Sequence, residues 1–347
     1  MSVSESRIAA ADLNALATTI LGRFGSLESE AEVVASHLVN ANLRGHDSHG
    51  VSLLPLYAEA VMRGALKPNT RPIRISDSGS ILIFDGARGF GHVSARDVTL
   101  DIIQRARDTG VAVGGLRNAG HIGRVGAYGE LVAEAGMIGI FLVNAIGRPP
   151  IVAPFGGREA RFSTNPFCIA VPIIDGWPPI ILDFATSKIA LGKARVAHER
   201  GEKVPEGCLI DDSGLLTTEP RYALESPFGA LLAFGDYKGS GLAIMCDLVA
   251  GALLAGDTAE SDNDNDEMMT NNMFVVVVDP NCLSAGIPTS LKVASLLKYI
   301  KSSAPLNALE PVRLPGEVEA EAMIERYRGG IPIDNNTLAV LQALALQ

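Results

Sequence analysis

Hydrophobic positions recur at helical spacing over residues 8–64. Ala9, Leu13, Leu16, Ile20 and Leu21 form one stripe, and Val33, Val34, Leu38 and Ala41 form a second after Ser26 and Glu28. Leu53, Leu54, Tyr57, Ala60 and Val61 predict a third helix, entered through the polar segment Arg44–Gly50. The texture then changes. Short apolar runs at Ile81–Phe84, Val111–Val113, Ile138–Val143, Cys168–Pro172, Ile180–Phe184 and Phe274–Val278 are separated by Gly, Pro, Asn and Asp, and predict strands. Because the runs are continuous rather than alternating, burial on both faces is expected for several of them. Helical patterns at Ala95–Thr109, Val125–Ala135 and Gly241–Ala255 lie between the strands. After Pro315 the chain reads as helical and charged again, with a last short helix from Asn336. The C-terminal helices are expected to return to the first layer.

Composition narrows the class. A chain of 347 residues, 47% hydrophobic and 20% charged, suits about two globular domains. The longest apolar stretch, Met137–Val143, is far short of the roughly 20 residues that a membrane span needs. The N-terminal residues carry no cationic leader before an apolar region, so a soluble cytoplasmic protein is expected. A net charge of −10 repels phosphate backbones and argues against nucleic acid as a partner. Cys168, Cys208, Cys246 and Cys282 lie 36 to 40 residues apart without a CxxC pair, and read as buried thiols instead of a metal or disulfide framework.

The usual nucleotide signatures are missing. Gly86–Gly91 and Gly120–Gly126 are glycine-rich, but neither has the GxGxxG spacing with an acidic residue about 20 positions on. The acidic run from Ser261 to Glu267 starts like a calcium loop, yet offers Glu267 where the turn glycine belongs and Met273 where a bidentate carboxylate belongs. His46 and His49 lack further ligands close in sequence, so no metal is expected.

Five segments can carry chemistry. Gly45–Gly50 places His46, Asp47, Ser48 and His49 together, suited to proton transfer, although capping by Asp47 or Ser48 explains it equally well. Asn118–Tyr128 follows a predicted strand and opens a helix, which turns amides, His121 and Arg124 toward one point fit for an anion. The others are Thr164–Pro166, the run Ile181–Ser187 with Asp183 ending its apolar part, and Asp236–Gly241. A buried Asp183 needs a partner, and a histidine is the natural one. Lys238 beside amide donors suits a phosphate.

In order along the chain, GHDSHGV (45–51), NAGHIGRVGAYG (118–129), FSTNPFCIAVP (162–172), ILDFATSKIALGKARVA (181–197), PEGCLID (205–211), DYKGSGLA (236–243) and LPGE (314–317) resemble the malate/L-lactate dehydrogenases that lack the Rossmann fold. HIGR, APFGGR, TNPFC and DFATS with ALGK and RVA are most similar to the hydroxycarboxylate dehydrogenase B branch. The resemblance implies an α/β (α+β) fold: a non-Rossmann, mixed-sheet NAD(P)-binding domain at 79–311 and a helical domain at 1–78 rejoined by 312–347. It implies NAD, with NADP the other choice, and a homodimer that interconverts a 2-hydroxy acid and its 2-oxo acid by hydride transfer. His49 is then the acid/base, Ser48 and Asp183 orient it, and His121 is a second imidazole that some members use. Cofactor contacts are implied for Gly123, Arg124, Val125, Ile181, Leu182, Asp183, Phe184, Ala185, Tyr237, Lys238, Asn271, Leu314, Pro315, Gly316 and Glu317.

Two departures matter. Many members carry Arg four residues after the SHG histidine, where this chain has Leu53, so Arg124 or Arg148 is expected to hold the substrate carboxylate. An apolar Leu53–Leu54 wall then suits a bulkier or aromatic acid better than malate. Ala145 follows Asn144 where other members often place a serine. The alternatives are a reductase of cyclic-imine 2-carboxylates and a catalytically dead cofactor-binding relative.

Overall fold

The structure, a computed structural model, describes residues 5–172, 176–261, 268–285, 287–307 and 310–346. The acidic run at 262–267 lies outside them. From the N-terminus, β1 (Glu5–Ile8) leads into α1 (Ala10–Arg23) and α2 (Glu28–Leu43). Two short 3-10 turns, Asp47–His49 and Val51–Leu53, precede α3 (Leu54–Met62). Next come β2 (Ile73–Ser78), β3 (Ile81–Asp85), α4 (Gly91–Thr109), β4 (Val111–Gly120), α5 (Gly126–Glu134), β5 (Ile138–Ile146), β6 (Phe167–Val171) and β7 (Ile180–Phe184). A smaller unit contains α6 (Leu191–Glu199), β8 (Leu209–Ile210), β9 (Leu216–Thr217) and β10 (Ala230–Leu231). The remainder is α7 (Tyr237–Cys246), β11 (Thr270–Val278), α8 (Pro280–Leu283), α9 (Ser290–Lys301), α10 (Glu317–Gly329), β12 (Ile331–Asp334) and α11 (Asn335–Leu346).

Seven strands form one mixed sheet in the order β2-β3-β4-β11-β5-β6-β7. Only β3 and β4 run parallel, because α4 carries the chain back across the sheet between them. The late strand β11 inserts between β4 and β5, with Thr270 opposite both Gly120 and Ile146. That register brings the end of β4, the end of β5 and the start of β11 to one edge of the sheet. His121 leaves from the first and Arg148 from just beyond the second.

The strands do not match the expectation of burial on both faces. β3 and β5 alternate between buried and part-exposed positions, and Ile81 is 45% exposed. One face packs α4 and α5 through Val98, Ile102, Tyr128 and Val132. The other face is covered only in part, by the turns at 247–254. The helix expected at 241–255 is present within one helical run, 237–254, whose α-helical part α7 ends at Cys246 and continues through a wider turn. There Asp247 accepts a hydrogen bond from the Asn144 side chain at 2.9 Å. By length and composition alone the helical run 237–254 would cross a membrane, but Asp247 and its bond to β5 place it against the sheet.

A second core joins the two ends of the chain. Leu13, Ile20, Val34, Leu38 and Tyr57 pack with Ile331, Ile333 and Leu341. β1 pairs antiparallel with β12, Ile8 opposite Ile331. Neither strand was expected, because ESRI and IPID are too short and too mixed in polarity to stand out. β2, on the helical side of the expected boundary at 78, pairs with β3 in the large sheet. Of the cysteines, Cys168, Cys208 and Cys246 are buried as expected and Cys282 is exposed.

Candidate active site

α2 ends at Leu43, and Gly45 turns the chain with a positive φ of 85°. Asn42 organises the turn beyond it. Its Nδ2 donates to Asp47 Oδ1 at 2.7 Å and its Oδ1 accepts from the Val51 amide at 2.9 Å. Gly50 is required here, because a Cβ would overlap the Asn42 amide. The turn so held presents Ser48 Oγ 3.1 Å from His49 Nδ1, which leaves His49 Nε2 free to face a ligand.

The His49 ring stacks on His121, with centroids 5.8 Å apart and planes 25° from parallel. Behind His121 lies a buried polar row. Tyr57 Oη is 2.6 Å from His121 Nδ1 and 3.5 Å from His92 Nε2. The His92 and His37 rings meet edge to face at 4.8 Å, and His37 Nε2 accepts the Arg124 amide at 3.0 Å. Gly123, with a φ of 72°, lies against both rings, where any side chain would collide with them.

These imidazoles are neutral at pH 7. Burial is the main cause, lowering His49 to about 4 and His37 to about 3, with His92 and His121 also well below the usual value. Neighbouring imidazoles, Arg124 and Arg148 add to the effect through their positive charge. Burial pushes the Tyr57 phenol up, so it keeps its proton. When Tyr57 gives that proton toward His92, His121 donates through Nδ1 and presents Nε2 as a base.

The family profile described as malate/L-lactate dehydrogenase matches residues 8–342. The chain belongs to this family. It is 39% identical to hydroxycarboxylate dehydrogenase B of Escherichia coli K12 over 330 residues, 94% of this chain and 90% of the relative. The sulfolactate dehydrogenase structure from Methanocaldococcus jannaschii superposes with a TM-score of 0.88 at 32% identity, covering 98% of this chain and 97% of that one. A delta1-piperideine-2-carboxylate reductase from Pseudomonas syringae gives a TM-score of 0.85 at 29% identity, covering 98% and 99%.

Within this member of the family, several expected site residues have other work. Arg124 is only 4% exposed, and its Nη2 donates to Glu130 Oε1 at 2.7 Å. Part of its guanidinium is thus committed to a part-buried acid, while its buried Nε has no hydrogen-bond partner among the described residues. The amides of 122, 124 and 126 do not converge on an anion either, since they donate to Asn271, His37 and Asp183. Asp183 is not paired with a histidine. It accepts the Gly126 amide at 2.7 Å; burial raises its pKa, and the charge of Arg124 opposes that rise. Asn271, expected at the cofactor, spends its side chain tying the Ile122 amide to the Asn144 carbonyl, at 2.9 and 2.8 Å.

Other expected residues remain available. Arg148 is half-buried and makes no hydrogen bond or ion pair among the described residues, while its charge acts on both His121 and Tyr57. Lys238, in the first turn of α7, is exposed and likewise unpaired with any carboxylate among the described residues. β7 is an edge strand, so Ile181–Ala185 offers free main-chain groups along one side. Gly316, with a φ of 90°, sits 3.4 Å from the Ile181 amide at its Cβ position, which brings the 181–185 and 314–317 segments together. Leu53 is part-exposed, but Leu54 is buried in the helical core and so is not part of a substrate wall. Sequence reasoning missed Asn42, Tyr57, His37, His92 and Glu130. A usable signal existed, because the chain has only six histidines and four of them meet here.

Proposed function

We propose that the protein interconverts a 2-hydroxy acid and its 2-oxo acid, with His49 as the acid/base and Arg148 holding the carboxylate. The stacked, neutral pair His49 and His121 is the observation that carries this reading. In oxidation a neutral imidazole is ready to take the hydroxyl proton through a nitrogen at its ring edge. Arg148 leaves the same sheet edge as His121, about 10 Å away across β11 at ordinary strand spacing, and carries an unspent charge. A carboxylate between them satisfies it.

The donor set fits a nicotinamide dinucleotide. Free main-chain groups on β7, the side-chain-free surface at Gly316 and the unpaired Lys238 suit an amide, a flat ring and a phosphate respectively. NAD or NADP, when bound, supplies the acceptor for the hydride that leaves the carbinol carbon. The wall above the substrate is set by Leu53, which favours an apolar group on the acid over a second carboxylate. We place the two walls of the cleft in a helical lobe, 1–78 with 312–347, and a sheet lobe, 79–311. A cytoplasmic homodimer accords with the exposed Ile244, Met245, Leu248 and Leu253 on the 237–254 run.

The test is a panel of pyruvate, oxaloacetate, phenylpyruvate and piperideine-2-carboxylate with NADH and with NADPH, read as loss of reduced-nicotinamide absorbance. Fastest turnover of phenylpyruvate is expected. Turnover of the imine alone establishes the second reading, favoured by the likeness to the piperideine-2-carboxylate reductase structure. Binding of either nucleotide without any turnover establishes an inactive relative.

A further inference from the structure

We propose that Arg326, on α10 near the C-terminal end of the chain, is a positioning residue that sets the His49 turn. The two residues are far apart in the chain, yet Arg326 grips the residue two before His49. Its Nη1 lies 2.6 Å from Asp47 Oδ1 and its Nη2 lies 3.0 Å from Asp47 Oδ2, a forked pair. Nη1 also donates to the main-chain oxygen of Asn42 at 2.6 Å. The guanidinium therefore spans the last turn of α2 and the turn that carries the acid/base. Its side chain is 17% exposed and that of Asp47 48%, so the guanidinium is largely covered while the carboxylate is open to water.

Two further contacts come from the same face of α10. Glu319 Oε1 is 3.5 Å from His46 Nε2, and the Ala322 Cβ lies 3.7 Å from the Cβ position of Gly45. Residues 319, 322 and 326 are spaced i, i+3 and i+7, which is one stripe of a helix. That stripe addresses His46, Gly45 and Asp47 respectively. The other bonds that hold the turn are local: His49 amide to His46 carbonyl at 2.9 Å, Gly50 amide to Asp47 carbonyl at 3.1 Å, Ser52 Oγ to the Asp47 carbonyl at 3.1 Å, and the Asn42 side chain to Asp47 and Val51, whereas α10 supplies the contacts from a distant part of the chain. Ser48 is exposed and His49 half-buried, so packing alone does not fix the imidazole. A displacement of about 1 Å at an acid/base lowers turnover by as much as 10²-fold.

The inference rests on the reading of His49 as acid/base, and the experiment separates the two. Arg326→Gln, Arg326→Lys, Asp47→Asn, the Arg326→Gln/Asp47→Asn double variant and His49→Ala are compared in the full chain. Arg328→Gln, exposed on the same helix, is the control. The probe is the fastest 2-oxo acid of the panel, with NADH affinity and melting temperature measured in parallel. Arg326→Gln is expected to lower kcat roughly 10- to 100-fold with NADH affinity within about twofold. Asp47→Asn should do the same, and the double variant should fall little further, because both act mainly through one ion pair. Lysine should recover part of the rate, since it supplies charge without the fork. A pair that only stitches α10 to α2 would lower the melting temperature and leave kcat below that temperature unchanged, which overturns the proposal. If His49→Ala leaves kcat within tenfold, the acid/base reading fails instead. If His49→Ala is crippling and Arg326→Gln is silent, Arg326 alone is refuted.

Discussion

His49 and His121 face each other at 5.8 Å from two different kinds of support. The His49 turn stands on charge: the Asp47–Arg326 pair, with Glu319 against His46 beside it, ties it to a helix from the far end of the chain. His121 stands on neutral bonds, with Tyr57 on one side and the Asn271 side chain holding the next amide. Ion pairs near the surface fix position but add little stability, because water competes for both partners. Neutral bonds inside a buried row fix which nitrogen carries the proton, because an unmet partner there costs about 1–3 kcal/mol. One side of the site holds a place and the other holds a tautomer.

The largest effect should come from the imidazole that transfers the proton. His49→Ala is expected to lower turnover by at least about 10²-fold while leaving nicotinamide binding near normal, and His121→Ala to do less. Steady-state rates for both variants on one oxo acid decide it. A crippled His121→Ala beside a mild His49→Ala inverts the assignment and makes the tautomer-holding side the reactive one.

Next in size is a stability effect on the buried side. Arg124 lies between Glu130 and Asp183, so Arg124→Gln leaves Asp183 without its buried cation, while Glu130 keeps Arg44 at 3.1 Å. A loss of about 3 kcal/mol in unfolding free energy is expected by denaturant titration. The Michaelis constant for the oxo acid should change little. A large rise in that constant at unchanged stability would return Arg124 to the clamp role that the sequence suggests.

The sequence made the motifs legible and left their partners hidden, for a physical reason. His49, Ser48 and His121 sit in short, glycine-bounded runs whose chemistry is local. Arg124 reads as an anion binder in HIGR because Glu130 is a helix turn and a half away and looks like an ordinary surface acid. The Asp47–Arg326 pair depends on α10 folding back over α2, which no local pattern encodes. Tyr57 belongs to an apolar helical stripe, and only the tertiary fold turns its hydroxyl toward His121. The same holds for β11: its apolar run marks a strand, but its insertion between β4 and β5 is a property of the whole sheet.

The smallest expected effect tests the tautomer side alone. Tyr57→Phe keeps the ring that packs edge-on against Phe90 at 6.0 Å and removes only the hydroxyl. His121 Nδ1 and His92 Nε2 then lose their shared partner. His121 becomes free to carry its proton on either nitrogen, and about half the molecules present the wrong edge to the substrate oxygen. With the lost bond itself, a fall in kcat of roughly tenfold, or ~1.4 kcal/mol, is expected at unchanged NADH affinity. Nitrogen NMR of labelled histidine reads the tautomer directly, and should show His121 changing from one form to a mixture. If kcat holds and the His121 signals do not move, the phenol is packing and the neutral row does not set the proton.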